Sequence, residues 1–575
     1  MDNRTDDQKA KDIAKTQTYL ATLRQPFEPM VDNLLEFVRL GRKIRAGAKG
    51  KIENLNVYDS TPVQALGMWA DGIYAYDCSS ALNWFKLTLP NVLNFPRFSG
   101  MKRWNGKRLD DIPEVAKWLD LSTNVLRSDF LRSNFYSVIT QFIRDGGSIG
   151  TADMYAEPDI TTGIVTFNPL HFREFFIAEN KNRKIDTLYR EFNLTLRQMV
   201  QKFTLEQCEK SELGFTRQYE QNPYQERTLL HAVYPRDDYD PDKKDNKNMS
   251  YASMWVLKGK DKLLMEAGYP YFPHITWRYR VESDELYGRS WAWDAYAEIA
   301  TVNVQARDNL EGGHKLINPP MVGPSALRGQ VHPNAKGWTW VDRMTEDQVP
   351  KPLQTGMKVP FAVEMQDRTQ KTIDKYAHSD FFMMLTQAVL NKVELTATQV
   401  MHMAGEKAAA IAALTDGFNM GPLSDVIDLM WNISWESGRI PPPPDILLEA
   451  ANIGIGLEVD FIGPLAQMQK TLFETQGIRS GLQMAAEIAA MFPQALTRIN
   501  ADELMKIGLK TTYFPVDAIR TDEDVAAIND ANQKMQEAQM AQQSLTETAK
   551  ALPGAGKAVE PDSPLSMLMN MGVQQ

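Results

Sequence analysis

Cysteine is nearly absent. Only Cys78 and Cys208 occur in 575 residues. Two thiols cannot build a disulfide framework, and such sparse use fits a chain kept in a reducing compartment. No run of roughly eighteen apolar residues occurs, so no membrane-spanning helix is expected. The opening residues, Met1-Asp2-Asn3-Arg4-Thr5-Asp6-Asp7, are polar, and no secretory leader is expected. Basic charge is not in excess either. Lys and Arg number 63 against 73 Asp and Glu, a formal net charge of -10. Proteins that grip nucleic acid draw affinity from neutralised phosphate and usually carry the opposite balance. An acidic chain argues against a tight hold on DNA, but not against a surface along which DNA slides. Simple solubility accounts for the charge equally well.

Catalytic signatures are missing as well. A phosphate-cradling loop needs a glycine, four residues, then Gly-Lys-Ser/Thr. Gly50-Lys51-Ile52 comes nearest, yet it lacks both the upstream glycine and the hydroxyl. There is no His-Glu-x-x-His and no Cys-x-x-Cys, and the seven histidines are scattered. His402 lies in a helical stretch and reads as a surface or partly buried residue rather than a ligand. Gly454-Ile455-Gly456 is too short to define a nucleotide site. Asp110 and Asp111 fall where a helix begins, and the helix dipole explains them. No catalytic residue, metal or cofactor is expected.

What is present is an ordinary soluble composition, 43% hydrophobic and 24% charged, long enough for several domains. The chain is organised around two rods. From Arg289 to Glu311, Ala292, Ala295, Ile299, Val302, Ala306 and Leu310 recur at three- and four-residue steps, the period of one helix face. Asp294, Glu298, Thr301, Gln305 and Asp308 mark the other face. Gly312-Gly313 is expected to end this rod, because glycine accepts the left-handed conformation of a helix C-terminus. At about 1.5 Å per residue the rod is roughly 35 Å long. A return rod is expected from about Phe361 to Leu385, with Pro360 in its first turn. Between them, Pro319, Pro320, Gly323, Pro324, Pro333 and Gly337 exclude a helix. On the stripes alone, a hairpin packed inside one monomer is the better reading.

Around the rods, residues 8 to 45 read as two helices broken near Pro26. A basic loop follows, with Arg39, Arg42, Lys43, Arg45, Lys49 and Lys51. It can meet nucleic acid, though a solvated face is the commoner meaning of a charge run. Thr61 is expected to cap a helix with Pro62 in its first turn, burying Val63, Leu66, Trp69 and Ile73. Helices are expected from Ile112 to Asp145, closing at Gly146-Gly147. The period then changes to that of strands at Gly163 to Phe167, Phe172 to Ala178, Asp186 to Phe192, Leu229 to Tyr234, Ser253 to Leu257 and His274 to Arg280. Asn180-Lys181-Asn182 suits a hairpin turn, and Thr195 suits the cap of a helix from Leu196 to Phe203. Beyond the second rod a helix is expected from about Thr398, broken by Gly417, Gly421 and Pro422 and resuming to about Glu436. Pro441 to Pro444 form a stiff spacer. Leu465 to Arg498 and Val516 to Gln543 read as helical.

Tyr287-Gly288-Arg289-Ser290 entering a long helix, Ile317-Asn318-Pro319, Thr396-Ala397-Thr398-Gln399-Val400 opening another helix, and Ile440 with its following prolines share one order of elements. In that order the chain resembles the portal (head-to-tail connector) family of short-tailed bacteriophages. The resemblance implies an α+β, mainly helical fold, an elongated portal-type protomer with wing, stem, clip and crown. On this reading residues 1–287 are the wing, 288–312 stem helix 1, 313–359 the clip and 360–385 stem helix 2. Residues 386–397 are the tunnel loop, 398–460 a wing helix and return segment, 461–545 the crown, and 546–575 a disordered tail.

The resemblance further implies a homo-oligomeric ring, commonly of twelve copies, at one capsid vertex of a virion. Double-stranded DNA is packaged through it by a separate terminase and later ejected. Its expected partners are the terminase large subunit, a tail adaptor, and the major capsid and scaffolding proteins. Assembly takes place in a host bacterial cytoplasm, with no membrane and no cofactor. Val389, Leu390, Asn391 and Lys392 occupy the tunnel-loop position near DNA, where a plain helix connection is the competing reading. Asp294, Glu298 and Asp308 are candidates to line the channel and repel phosphate. Trp338 and Trp340 are candidates for docking the adaptor or terminase, since aromatic anchors dominate interfaces; packing between protomers serves them as well. Two rival classes stay open: a structural adaptor or scaffold ring without DNA passage, and an enzyme whose residues meet across subunits.

Overall fold

The structure is a computed structural model. It describes residues 4–40, 56–90, 109–158, 163–237, 239–240, 243, 245–323, 325, 345, 351–352, 359–382, 412–452, 456–463, 483–484, 487, 525, 528 and 530–540. The chain divides into two compact units, Met1–Gly106 with Trp118–Met484, and Lys107–Lys117 with Ala485–Gln575. In the second unit residues 530–540 are helical and exposed, as the sequence pattern requires there. Apart from residues 113–117, which open one helix, the elements below belong to the first unit.

Thr5 opens helix α1 (Asp6–Arg24) with a capping box: its hydroxyl accepts from Gln8 N, and the Gln8 side chain accepts from Thr5 N. Helix α2 (Glu28–Val38) follows across Pro26. Helix α3 (Thr61–Asp77) buries Leu66, Trp69 and Ile73, with Val63 partly covered. Its cap position is Ser60, not Thr61. Asp59 holds this helix start instead, its carboxylate accepting from Thr61 N at 2.8 Å. Strand β1 (Phe85–Thr88) precedes helices α4 (Pro113–Arg132) and α5 (Phe135–Ile149).

The glycine pair Gly146-Gly147 does not end α5. The helix runs on to Ile149 and is capped by Gly150 at φ 97°. A Cβ on Gly146 would lie 2.3 Å from the Trp277 ring, and one on Gly147 would lie 2.3 Å from the Trp69 ring. These glycines exist so that two tryptophans can lie against the helix backbone, and the stacked rings of Trp69 and Trp277 sit 6.2 Å apart.

Two antiparallel sheets follow. Strands β2 (Thr151–Pro158) and β3 (Val165–Leu170) begin one of them; β4 (Phe175–Glu179) and β5 (Ile185–Thr195) begin the other. The β4–β5 turn is the expected one, with Asn180 N donating to Lys184 O and Arg183 at φ 62°. Thr195 caps α6 (Leu196–Phe203) through a second capping box with Gln198. Helices α7 (Leu205–Ser211) and α8 (Phe215–Gln221) lead to β6 (Glu226–Pro235), β7 (Tyr251–Leu257), β8 (Lys262–Tyr269) and β9 (His274–Arg278). The sheet orders are β3-β2-β9 and β4-β5-β6-β7-β8.

Strand alternation explains how the larger sheet is covered on both faces. Leu230, Ala232, Met254 and Val256 meet Ala10, Ile13 and Leu20 of α1 on one side. Leu229, Trp255 and Leu257 meet Leu196, Met199, Phe203, Cys208 and Phe215 on the other. The chain then enters α9 (Trp291–Asp294), capped by Ser290, and α10 (Tyr296–Ile317). Strands β10 (Met321–Val322) and β11 (Lys351–Pro352) pair antiparallel, and α11 (Val359–Tyr376) returns, followed by α12 (Ser379–Phe382). Helix α13 (Ala412–Phe418), a π-helical segment Asn419–Leu423 and α14 (Ser424–Glu436) form the expected interrupted helix, except that Gly417 lies inside α13 and does not break it; the expected start near Thr398 lies outside the described residues. The break is at Gly421, with φ -94° and ψ -106°, beside Pro422. After the prolines, α15 (Asp445–Asn452) and β12 (Glu458–Phe461) close the unit, β12 pairing with β1. Among the described residues no helix is long and apolar enough to cross a membrane.

Candidate functional site

The helix pair α10–α11 is the candidate site. The single predicted rod Arg289–Glu311 is in fact two helices, because Ala295 leaves helical geometry at ψ 6° between α9 and α10. Gly312-Gly313 does not stop α10, which continues to Ile317. Gly312 is buried inside the helix, and its conformational freedom is unused there. The return rod ends at Tyr376 rather than Leu385, and His378 at φ 52° breaks it before α12.

A polar ladder ties the two helices to each other and to the rest of the unit. Asn309 Nδ2 donates to Gln366 Oε1 at 2.7 Å. Gln366 and Gln370 donate to Asp59 Oδ2 at 3.0 and 2.8 Å. On the α10 side, Asn303 accepts from Tyr58 N at 2.7 Å and donates to Asn56 O at 3.0 Å. Residues 56–59 are thus a strap across both helices. Burial pushes the Asp59 carboxyl up, but the donations from Thr61, Gln370 and Gln366 outweigh it and hold the group below its ordinary value. Asp59 remains charged and keeps its grip. Sequence reasoning missed this ladder because Asn and Gln carry no periodic signal, and their partner lies some 300 residues away in the chain.

The apolar stripe divides along its length. Ile299, Val302 and Ala306 of α10 and Ile373 and Ala377 in the second half of the return are buried. Toward the β10–β11 end the same pattern continues largely exposed. Leu310 is 54% exposed, Leu316 49%, Ile317 87% and Phe361 61%, and Val363, Met365, Met321 and Val322 are exposed with them.

The three acidic candidates are not equivalent. Asp294 is 2.6 Å from Arg280, so much of its charge is offset. Asp308 lies 3.2 Å from the neighbouring Arg307, both exposed. Glu298 is half-buried and has no charged partner among the described residues. Val389, Leu390, Asn391, Lys392, Trp338 and Trp340 lie outside the described residues, as does most of the basic loop after Arg39. Arg39 itself forms an ion pair with Asp145 at 3.1 Å. No cluster of His, Cys, Asp and Glu suited to a metal ion occurs among the described residues.

Comparison with known proteins identifies the family of the chain. A family described as "Bacteriophage head to tail connecting protein" matches residues 10–519. The chain is 26% identical to the "Probable portal protein" of Bordetella phage BPP-1 over 470 residues, covering 79% of this chain and 78% of that one. It is 26% identical to the "Portal protein" of Salmonella phage epsilon15 over 509 residues, covering 87% and 86%. A chain from the virion of a native gene transfer agent particle shares 9% identity at a TM-score of 0.28, spanning 73% of this chain and 93% of that chain, and nothing rests on that likeness. This chain belongs to the bacteriophage head-to-tail connecting protein family. Connecting head to tail in a phage virion is accordingly its function.

Proposed function

We propose that copies of this protein close into a portal ring at one capsid vertex, with α10 and α11 as the stem and the β10–β11 pair at the base of the clip. The observation that carries this is the uncovered apolar half of the helix pair. Apolar residues at helical spacing left largely exposed among the described residues favour a neighbour from outside the protomer. A closed ring supplies the same neighbour to every copy and leaves no open end. Twelve is the expected number. Duplex DNA passes through the bore, driven by a separate terminase during packaging and leaving through a tail adaptor on ejection. The protein itself catalyses nothing: its sequence holds no phosphate-binding loop, so the purified ring is expected to turn over no ATP.

Glu298 is the strongest of the three lining candidates, since Arg280 and Arg307 offset the other two. That offset favours a second reading, an adaptor ring without DNA passage, because a neutral wall loses its repulsion. Electron microscopy of the purified ring decides between them: a bore wide enough for duplex DNA supports the portal, and a closed bore supports the adaptor. For the tunnel loop, replacing Ala388–Val393 with a Gly/Ser linker is expected to spare ring formation and impair packaging or retention of DNA. A linker variant that fills and holds heads like the wild type makes this segment a mere connection.

A further inference from the structure

The space between the two sheets holds a sealed polar cluster that no part of the connector reading uses. From the five-stranded sheet come His231 on β6, Ser253 and Trp255 on β7, and Tyr269 on β8. From the three-stranded sheet come Asp153 and Tyr155 on β2, and His274 and Thr276 on β9. His231 Nε2 and Ser253 Oγ are 2.9 Å apart, and the imidazole stacks on Trp255 with ring centroids 3.9 Å apart. His274 Nδ1 is 2.9 Å from Asp153 Oδ2, and Thr276 donates to Asp153 Oδ1 at 2.7 Å. Tyr155 and Tyr269 join hydroxyls at 2.6 Å, bridging the sheets. His231, Asp153 and Ser253 are each 1% exposed and His274 4%, so no substrate reaches this serine or these histidines.

Each histidine has one nitrogen in a hydrogen bond, Nε2 of His231 and Nδ1 of His274. Asp153 accepts only, so Nδ1 of His274 carries the proton there, and its Nε2 is buried with no partner. His231 shares one hydrogen bond with Ser253 through Nε2, in which either group can donate, and it forms no ion pair among the described residues. A neutral imidazole is cheap to bury there; an imidazolium without a carboxylate is not.

We infer that this cluster is an acid-sensitive latch, in which protonation of His231 leaves a buried positive charge with no carboxylate paired to it and loosens one sheet from the other. The charges around it do not rescue the cation. His274 lies 6.5 Å away, ring to ring. Lys202 of α6 sits 4.3 Å from the Trp255 ring, and Arg190 of β5 also opposes a charge on His231. The nearby anions are Asp153, already engaged by His274 and Thr276, and Glu157 at the end of β2, paired with Lys202 at 3.0 Å. Burial first, then His274, Lys202 and Arg190, holds the His231 pKa well below its ordinary 6.5. The closed form therefore binds its proton less readily than the open one. The closed state is favoured fully above pH 6.5 and loses ground as pH falls below it.

Hydrogen exchange on the assembled wild-type protein, corrected for intrinsic rate, tests this between pH 7.5 and 5.5. One histidine that titrates only when open, with its ordinary value of 6.5, multiplies the open population about tenfold between pH 7.5 and 5.5, about fivefold of it below 6.5. The expected result is a rise of that size in peptides of β2, β6, β7 and β9, with none in α10 and α11, and its loss in His231→Gln. No rise in the wild type, a rise spread equally over α10 and α11, or an undiminished rise in His231→Gln overturns the latch. If His231→Gln fails to fold, the location of the rise in the wild type decides alone.

Discussion

The two halves of the α10–α11 pair carry the same kind of side chain and meet opposite fates. Near α9, Ile299, Val302 and Ala306 are buried against the protomer's own core. Toward β10–β11, Leu310, Leu316, Ile317 and Phe361 continue the apolar pattern into solvent. The first half is held by its own chain, through the 56–59 strap and the Asp59–glutamine ladder. On the proposed ring, the second half is covered by another chain. The difference teaches that periodicity reports the presence of an apolar face and not what covers it. Substitutions that act on one half and spare the other break or sharpen the contrast.

The largest effect on the protomer is expected from Trp69→Ala. Trp69 is fully buried and packs against Trp277, Tyr279 and Trp291. Truncating it should cost about 3–5 kcal/mol in denaturant unfolding. A loss under about 1 kcal/mol would mean that this side of α3 is not core.

Asp77→Asn comes next, and its effect depends on pH. Asp77 closes α3 with both carboxylate oxygens buried and unpartnered. Burial, then the charge of Asp416, raises its pKa to about 8. Folding thus favours the protonated form, so wild-type stability should fall as pH rises from about 4 to about 8 and level off beyond. The Asn variant should lack that slope and exceed the wild type at pH 9 by an amount on the order of a few kcal/mol. Parallel stability curves would show that Asp77 finds a partner.

Asp59→Asn should be milder, about 1–3 kcal/mol, because one charged acceptor for the glutamine donors is lost. Its sign with pH is the reverse. Asp59 has a lowered pKa, so its contribution is present above the ordinary value of 3.8 and fades as pH falls through its folded value. The gap between wild type and variant should close in acid; a gap that persists would place the effect in packing rather than charge.

Much of the fold was legible in the sequence where a local rule and the tertiary structure agree. Thr195 with Gln198, the Asn180–Asn182 turn and the Gly421-Pro422 break were all readable from a few adjacent residues. Strand β2 was not, because residues 151–156 are all buried and show no alternation for a period-two pattern to reveal. The glycine pairs misled in a common way. A Gly-Gly signals a helix end by its freedom, but at Gly146-Gly147 it serves two tryptophans from distant parts of the chain. The candidate site divides likewise. The apolar stripe of α10 was visible, while the Asp294–Arg280 pair was not, since nothing in helix periodicity points 14 residues upstream into the turn after β9. The candidates Trp338, Trp340 and Val389–Lys392 fall outside the described residues, and their roles rest on the resemblance alone.

The central claim is that the far half of the helix pair is covered by neighbouring copies. The double variant Ile317→Glu with Phe361→Glu tests it by mass in solution at high protein concentration, alongside thermal unfolding of the protomer. Both side chains are exposed in the single chain, so the protomer's own stability should change by no more than about 0.5 kcal/mol. The account predicts that the wild type assembles into a closed ring and that the variant remains a folded species too small to be one. A variant that forms rings as readily as the wild type would contradict it.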